Sequence, residues 1–354
     1  MTFTIDIEPT NRCNAKCHFC PRDQTPHQGL MTPETFRQSL DRAIEYRALA
    51  EAALGEEKGS VDAISLCGLG EPLLNKHTPD FVRQVREAGF TCQMSSNGAL
   101  LDERRGQALL DAGLQRVFLN IGDRDADYEA VYQLPFERTL ENVKRFLEMA
   151  GDQCEVWIVL VDNRRDAEHV EAMREFWRGH GVKLFQDFAI MNRGGALYVD
   201  HMQFETLPQL QQARTMLASR GGTPLCGAPF GYLFVGYDGQ YYLCCSDWKK
   251  EVPLGSVFDR SFADVTAAKL RHVSSRASIC KTCNLDPINR LTDELRATDA
   301  GEAAIADLDG LADDIASVSG YVESLIDAVA PGTTALVASE DAPPERRYIP
   351  VNAL

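Results

Sequence analysis

The run Arg12-Cys-Asn-Ala-Lys-Cys-His-Phe-Cys20 sets three cysteines, Cys13, Cys17 and Cys20, in a CxxxCxxC spacing near the start of the chain. Thiolates hold iron–sulfur clusters, and four of them would saturate a cubane. Three leave one iron open to an outside ligand, as a catalytic metal site keeps free the position that a structural site closes. A zinc site needs a fourth ligand close by, and His18, inside the loop, is badly placed to supply it.

The 354 residues around this run are enough for two domains and a sizeable core. Apolar residues make up 44% and charged residues 25%, ordinary for a soluble globular protein. No apolar run reaches the roughly 18 residues that a membrane span needs. The opening Met-Thr-Phe-Thr-Ile-Asp has neither a basic leader nor a signal core, so a cytoplasmic chain with no membrane partner is expected. Eleven cysteines in such a chain argue for metal ligands over disulfides. The net charge of −16 is uneven: residues 284–354 carry 14 acidic and 4 basic side chains, a balance of −10 that leaves −6 for the first 283. Such a balance serves solubility and tolerates a cationic substrate. It argues against nucleic-acid binding, where Lys and Arg supply the phosphate contacts.

Short apolar strands, at 3–7, 63–67, 90–95, 116–121, 155–161 and 182–190, alternate with helical stretches at 33–53, 78–88, 102–112, 137–150 and 166–179. Thr32-Pro33 suits a helix start, and Gly89, Gly113 and Gly181 stand where glycines close helices. Alternation of this kind predicts a parallel sheet. Six βα units are too few for a closed eight-stranded barrel, so an open, TIM-like partial (βα)6 barrel is expected, its site at the C-terminal strand ends. Beyond it, Tyr237-Asp-Gly-Gln240 reads as a hairpin turn between β-prone runs. Leu308, Leu311, Ile315, Val318, Val322, Leu325 and Val329 step by three and four, predicting a helix over 305–329 whose seam packs on the core or in a homodimer. The stretch 331–354 reads as a flexible tail.

A second set of cysteines follows the first. Cys226 precedes Gly239-x4-Cys244, and Cys280-Lys-Thr-Cys283 closes the segment. Four thiols are enough to ligate one [4Fe–4S] cluster completely, and equally to build a zinc ribbon. Cys245 directly follows Cys244, so in an extended segment its side chain points the opposite way, and Asp247 shares that direction.

The first run resembles the radical S-adenosylmethionine (SAM) superfamily, in which an aromatic such as Phe19 precedes the last cysteine and SAM chelates the open iron. Three strand ends extend the resemblance over residues 4–195. Cys67-Gly-Leu-Gly-Glu-Pro72 is similar to the family's glycine-rich loop, implying SAM contacts at Gly68, Gly70 and Glu71. Ser95-Ser96-Asn97-Gly98 is similar to its Thr/Ser-Asn-Gly turn, implying roles for Ser96 and Asn97, and Asn120 stands where the family often has a ribose ligand. Cys67, Cys92 and Cys154 lie in or beside apolar strands and are expected in the core. The second set resembles the auxiliary-cluster domain of SPASM and twitch enzymes, which implies one closed [4Fe–4S] cluster on Cys226, Cys244, Cys280 and Cys283, and so two clusters in all.

The resemblance divides the chain into a radical SAM core (1–195), a small β-hairpin and helix iron–sulfur domain (196–283), a helical extension (284–330) and the tail. It implies a 5′-deoxyadenosyl radical, primed by an external reductant such as flavodoxin or ferredoxin. The compact one-cluster domain, the core's start at residue 3 with no leader-binding domain before it, and the acidic balance together point to a carbinol C–H of a sugar or aminocyclitol-type natural product. Epimerisation would use Cys245 as hydrogen donor, with Asp247 binding a substrate hydroxyl or amine. The alternatives are dehydrogenation through the auxiliary cluster, modification of a ribosomal peptide, and a non-catalytic iron–sulfur or zinc protein.

Overall fold

The computed structural model describes residues 3–55, 61–162, 166–189, 204–221, 224–299, 301 and 307–331. Six parallel strands run in order: β1 (Phe3–Ile7), β2 (Val61–Leu66), β3 (Thr91–Ser96), β4 (Arg116–Asn120), β5 (Glu155–Asp162) and β6 (Leu184–Ala189). Helices α1 (Pro33–Leu54), α2 (Thr78–Glu87), α3 (Glu103–Asp111), α5 (Phe136–Ala150) and α6 (Ala167–Gly179) form the crossovers, with α4 (Asp125–Tyr132) an added helix ahead of α5. The side chain of Thr32 caps α1 by accepting the Thr35 amide at 3.1 Å, with Pro33 next, as the sequence predicts. Helix α4 was not foreseen.

Period-two alternation sorts the strands into two faces. Ile5, Ile7, Ile64, Leu66, Val117 and Leu119 are buried against the helices. Thr4, Asp6, Ser65, Gln93, Ser95 and Asn120 turn the other way, into a cavity.

The sheet is open, and it continues past β1. Strand β7 (Tyr232–Val235) pairs parallel with β1, and β8 (Gln240–Tyr242) and β9 (Pro253–Ser256) follow antiparallel, giving nine strands in the order β6-β5-β4-β3-β2-β1-β7-β8-β9. The hairpin foreseen around residues 237–240 is present, with Gly236 N donating to Gln240 O at 2.9 Å. It covers the β1 edge, which would otherwise present unpaired backbone groups.

The remaining helices are α7 (Gln209–Ala218), the single turn α8 (Ala228–Gly231), α9 (Phe262–Ser274), α10 (Ser278–Thr282), α11 (Pro287–Asp299) and α12 (Leu308–Val329). Helix α12 serves two cores. Leu311, Ala312 and Ile315 pack with Leu210 and Leu217 of α7 and with Leu291 and Leu295 of α11, whereas Val322, Leu325, Ile326 and Val329 join the main core. The predicted seam therefore lies largely within the chain itself, with one phase error. Val318 is 37% exposed and Ser319 is buried instead, its hydroxyl donating to Ile315 O and accepting from Leu225 N, both at 2.9 Å. A straight helix drifts about 20° per heptad against a strict seven-residue repeat, which is enough to exchange neighbours at the seam's edge. Changing Leu311 and Ile315 to Ala is expected to cost about 2–5 kcal/mol each. An unchanged melting temperature in the double variant would show that this cluster does not hold the fold.

The expected boundary at residue 195 and the tail beyond 331 lie outside the described residues.

Candidate functional site

The C-terminal ends of the parallel strands open into a cavity of about 1070 Å³. Cys13, Cys17, Cys20, Phe19, Gly68, Gly70, Glu71, Ser96, Asn97 and Asn120 all line it, and so does Cys245. The volume is at the upper end for small-molecule sites and accommodates a cofactor beside a substrate.

The three-cysteine loop is held by backbone contacts more than by its thiols. Lys16 N donates to Tyr132 O at 3.1 Å and His18 N to Val131 O at 3.2 Å, so the end of α4 anchors the loop. Arg22 Nη1 donates to Cys13 O at 2.8 Å, and the Phe19 ring meets Tyr132 edge-on at 5.7 Å. Burial pushes the Cys13 thiol up to about 11, and burial plus the neighbouring thiols push Cys17 up to about 12. Buried thiols of this kind become thiolates when a cation compensates them.

Glycine at position 70 is forced by a close approach: a Cβ there would collide with the carbonyl oxygens of Thr10 and Arg12. A Cβ on Gly68 would lie 2.6 Å from the Glu8 carboxyl. Glu71 is buried. Its Oε1 accepts from Leu73 N (3.1 Å) and Ser96 Oγ (3.0 Å), and its Oε2 from Asn97 N (2.9 Å), so it ties the second strand end to the third. Burial raises its pKa, partly offset by these donors. Asn97 Nδ2 reaches Asn14 Oδ1 at 2.9 Å and Cys13 Sγ at 3.8 Å, and Asn120 Nδ2 donates to Ser95 Oγ at 2.8 Å. The loops of four strands thus share one hydrogen-bonded rim around the open thiols.

The second cysteine set lies around the start of α8, the end of β8 and the turn of α10. The charges of Cys226, Cys244, Cys280 and Cys283 act on one another. Burial comes first in each shift, carrying Cys280 up to about 12 and pushing Cys226 and Cys244 up as well. Asn289 Nδ2 clamps the carbonyls of Cys280 (3.0 Å), Lys281 (3.1 Å) and Cys283 (2.8 Å). Asn289 in turn accepts from Arg276 Nη2 at 2.8 Å, which also grips Asp286. No sequence motif marked this scaffold. Among the described residues, no three His, Cys, Asp or Glu side chains are gathered to hold a single metal ion. Both donor sets are thiols alone, the chemistry that iron–sulfur clusters use.

Two expectations need correction. Asp247 does not line the cavity, because Cys245 and Ser246 form a turn and the segment is not extended. Its carboxylate accepts from Glu251 N at 2.8 Å and Val252 N at 2.9 Å and shapes that turn. Cys67, expected in the core, faces the cavity together with Asp6, whereas Cys92 and Cys154 are buried as expected. A polar row also went unread. Register aligns Asp6, Ser65, Gln93, Arg116 and Glu155 across five strands, and all five face the cavity. Arg116 Nε donates to Glu155 Oε2 at 3.1 Å, as does Trp157 Nε1. From the other side Trp248 closes on Leu69 and Cys20.

An open parallel sheet with three thiols and a glycine loop at its strand ends, extended by a four-thiol segment, defines a radical SAM fold with an added iron–sulfur domain. The profile of the radical SAM superfamily matches residues 7–176, and that of the SPASM iron–sulfur cluster-binding domain matches 226–284. The chain belongs to the radical SAM superfamily and carries a SPASM-type iron–sulfur cluster-binding domain. A tungsten-containing aldehyde ferredoxin oxidoreductase cofactor-modifying protein of Pyrococcus furiosus is 28% identical over 116 residues, 32% of this chain and 29% of that protein. The chain thus aligns with under a third of that relative. The structure of anSMEcpe with bound AdoMet is 14% identical, with a TM-score of 0.55, 92% of this chain and 99% of that one being covered. Streptococcus suis SuiB bound to precursor peptide SuiA is 13% identical, with a TM-score of 0.54 and coverages of 83% and 73%. Likeness at this identity shows the fold. No helix among the described residues is long and apolar enough to cross a membrane.

Proposed function

We propose that this radical SAM enzyme takes a hydrogen atom from a carbinol C–H of a sugar or aminocyclitol-type small molecule, and that Cys245 returns one with inversion. The observation that carries this reading is the polar row of the sheet, Asp6 to Glu155, which faces the same cavity as Cys245. A floor of carboxyl, hydroxyl, amide and guanidinium groups suits a ligand dense in hydroxyls and amines, and Phe118, Trp157 and Tyr232 offer flat faces to its C–H surfaces.

Cys13, Cys17 and Cys20 would hold one [4Fe–4S] cluster, and Cys226, Cys244, Cys280 and Cys283 a second, closed one. When bound and reduced by a ferredoxin- or flavodoxin-class donor, the first cluster with SAM supplies a 5′-deoxyadenosyl radical. The chain's own part is position and exclusion of water. Gly68, Gly70 and the rim fixed by Glu71, Ser96 and Asn97 would seat SAM, Phe19 would flank it, and Asn120 would reach its ribose. Cys245 gives its S–H hydrogen atom to the substrate carbon radical, a downhill transfer because that S–H bond is weaker than the carbinol C–H bond formed. The thiyl left on sulfur returns to the thiol with one electron from the same ferredoxin- or flavodoxin-class donor and one proton from solvent. The same reading divides the chain into a core at 1–195, an auxiliary domain at 196–283 and a helical extension at 284–330.

Mass spectrometry of products from a panel of sugars and aminocyclitols in D2O tests this. Unchanged connectivity with one deuterium gained is expected from the wild type. Cys245→Ala should retain both clusters and form 5′-deoxyadenosine, yet accumulate no inverted product. Loss of two mass units would replace the reading by dehydrogenation. Turnover of a peptide alone would replace the substrate class.

A further inference from the structure

Asp6 and Cys67 sit on the cavity floor without a part in the cofactor rim. Asp6 projects from β1 and is 8% exposed, and its carboxyl shares the cavity with the Cys67 thiol, which interacts with it. Other buried carboxylates of this protein are treated differently. Glu8 collects two backbone amides and Lys250, Glu71 two amides and a hydroxyl, and Asp286 two amides and Arg276. A thiol is a weak donor, so Asp6 is buried at a cost that the Cys67 thiol and the Lys269 charge offset only in part. A carboxyl perturbed by burial inside a cavity is a candidate functional group.

The surroundings complete a cluster. Cys67 immediately precedes Gly68, so its side chain faces the cavity beside the glycine loop and shares it with Cys13, Cys17 and Cys20. From the other domain Cys245 is near enough for its charge to act on Cys67. Lys269 of α9, buried and donating to Pro229 O at 2.7 Å, acts on Cys244 first and then on Cys245 and Asp6, and the Asp6 and Cys245 charges both act on Tyr232. Two thiols, a carboxyl and a phenol thus line one cavity between the core and the auxiliary segment, with the Lys269 ammonium buried outside its lining.

We propose that Cys67 is a second hydrogen-atom donor in this cavity and that Asp6 is the acid that restores it. This rests on the hydrogen-return chemistry assigned above to the site. In the transfer, the Cys67 S–H bond breaks homolytically and a C–H bond forms, leaving a thiyl radical on sulfur. That thiyl regains its thiol by taking one electron from the ferredoxin- or flavodoxin-class reductant and one proton from the Asp6 carboxyl. Asp6 is then reprotonated from the cavity. Burial raises the Asp6 carboxyl to about 7, so it carries a proton part of the time at neutral pH.

The holoenzyme tests this without its substrate. With SAM and dithionite in D2O, the thiol of Cys67 becomes S–D, and 5′-deoxyadenosine formed in the uncoupled reaction is expected to carry deuterium. Cys67→Ser and Cys67→Ala should both lose most of that label while keeping iron content and melting temperature. A label that survives both Cys67 variants overturns the proposal. A label that disappears only in Cys245→Ala also overturns it, and leaves the role given to Cys245 intact. A second readout needs no radical. Burial first, and the Asp6 charge after it, hold the Cys67 thiol's pKa up, so Asp6→Asn should lift the second of these and speed iodoacetamide alkylation of the Cys67 peptide at neutral pH. Unchanged alkylation would remove Asp6 from the proposal.

Discussion

Replacing Cys13, Cys17 and Cys20 together by Ala is expected to abolish 5′-deoxyadenosine formation while leaving the fold and half of the iron in place. The loop that carries these thiols is fixed by Tyr132, Val131 and Arg22 through backbone carbonyls, none of which the substitutions touch. The side chains removed are partly exposed ones that line the cavity. Loss of the thiols therefore removes the donors without removing the frame. Reconstituted wild type should hold about eight irons per chain and the triple variant about four, by the four-iron stoichiometry of such clusters. The retained irons belong to Cys226, Cys244, Cys280 and Cys283, so the same assay separates the two sets. Chromatography of the nucleoside product and iron analysis decide the matter together. Continued SAM cleavage would refute the assignment of the first cluster, and stoichiometric zinc in place of the retained iron would make the second site a structural ribbon.

Local signals carried most of this site, and non-local ones hid the rest. Strand periods, the cap at Thr32 and the motifs at 13–20, 68–71 and 96–97 are each written within about a dozen residues, and each is found where the sequence points. The pairing of β7 with β1 joins residues more than two hundred positions apart, which no window contains. Helix α4 is short and weakly patterned, and its value lies in the carbonyls of Val131 and Tyr132 that receive the loop. Cys67 is instructive because its direction was legible. Ile64 and Leu66 point into the core, so Ser65 and Cys67 share the opposite face, and attention to period two would have set Cys67 beside Asp6. Asp247 failed for the converse reason. Alternation was assumed through Cys245 and Ser246, where the chain turns.

Lys250→Met is expected to cost about 3–5 kcal/mol of stability, because it leaves the buried Glu8 carboxylate without its cation. Glu8 stands just past β1 with a side chain of 0% exposure, and Lys250 Nζ lies 3.4 Å from its Oε2 with 6% exposure. Lys250 comes from the auxiliary segment and also sits 4.2 Å from the centre of the Tyr242 ring, so the pair fastens that segment to the core. Glu8 further accepts from Leu69 N at 2.8 Å and Tyr237 N at 3.2 Å, one partner on each side of the seam. Those amides do not neutralise a charge, so the variant leaves a buried carboxylate without its counter-ion. The Glu8→Gln/Lys250→Met double variant should regain much of the loss, since an amide needs no counter-ion while still accepting from Leu69. A double-mutant cycle on denaturant midpoints measures the coupling, which should exceed the sum of errors in the singles. Because Leu69 belongs to the glycine loop, Lys250→Met should also weaken SAM binding, read by equilibrium dialysis on reconstituted protein. A single variant within about 1 kcal/mol of wild type, the range of an exposed ion pair, would show that the two parts are held together elsewhere. The hydrophobic contact of Trp248 with Leu69 and Cys20 would then be the place to look, because it crosses the same seam a few residues away.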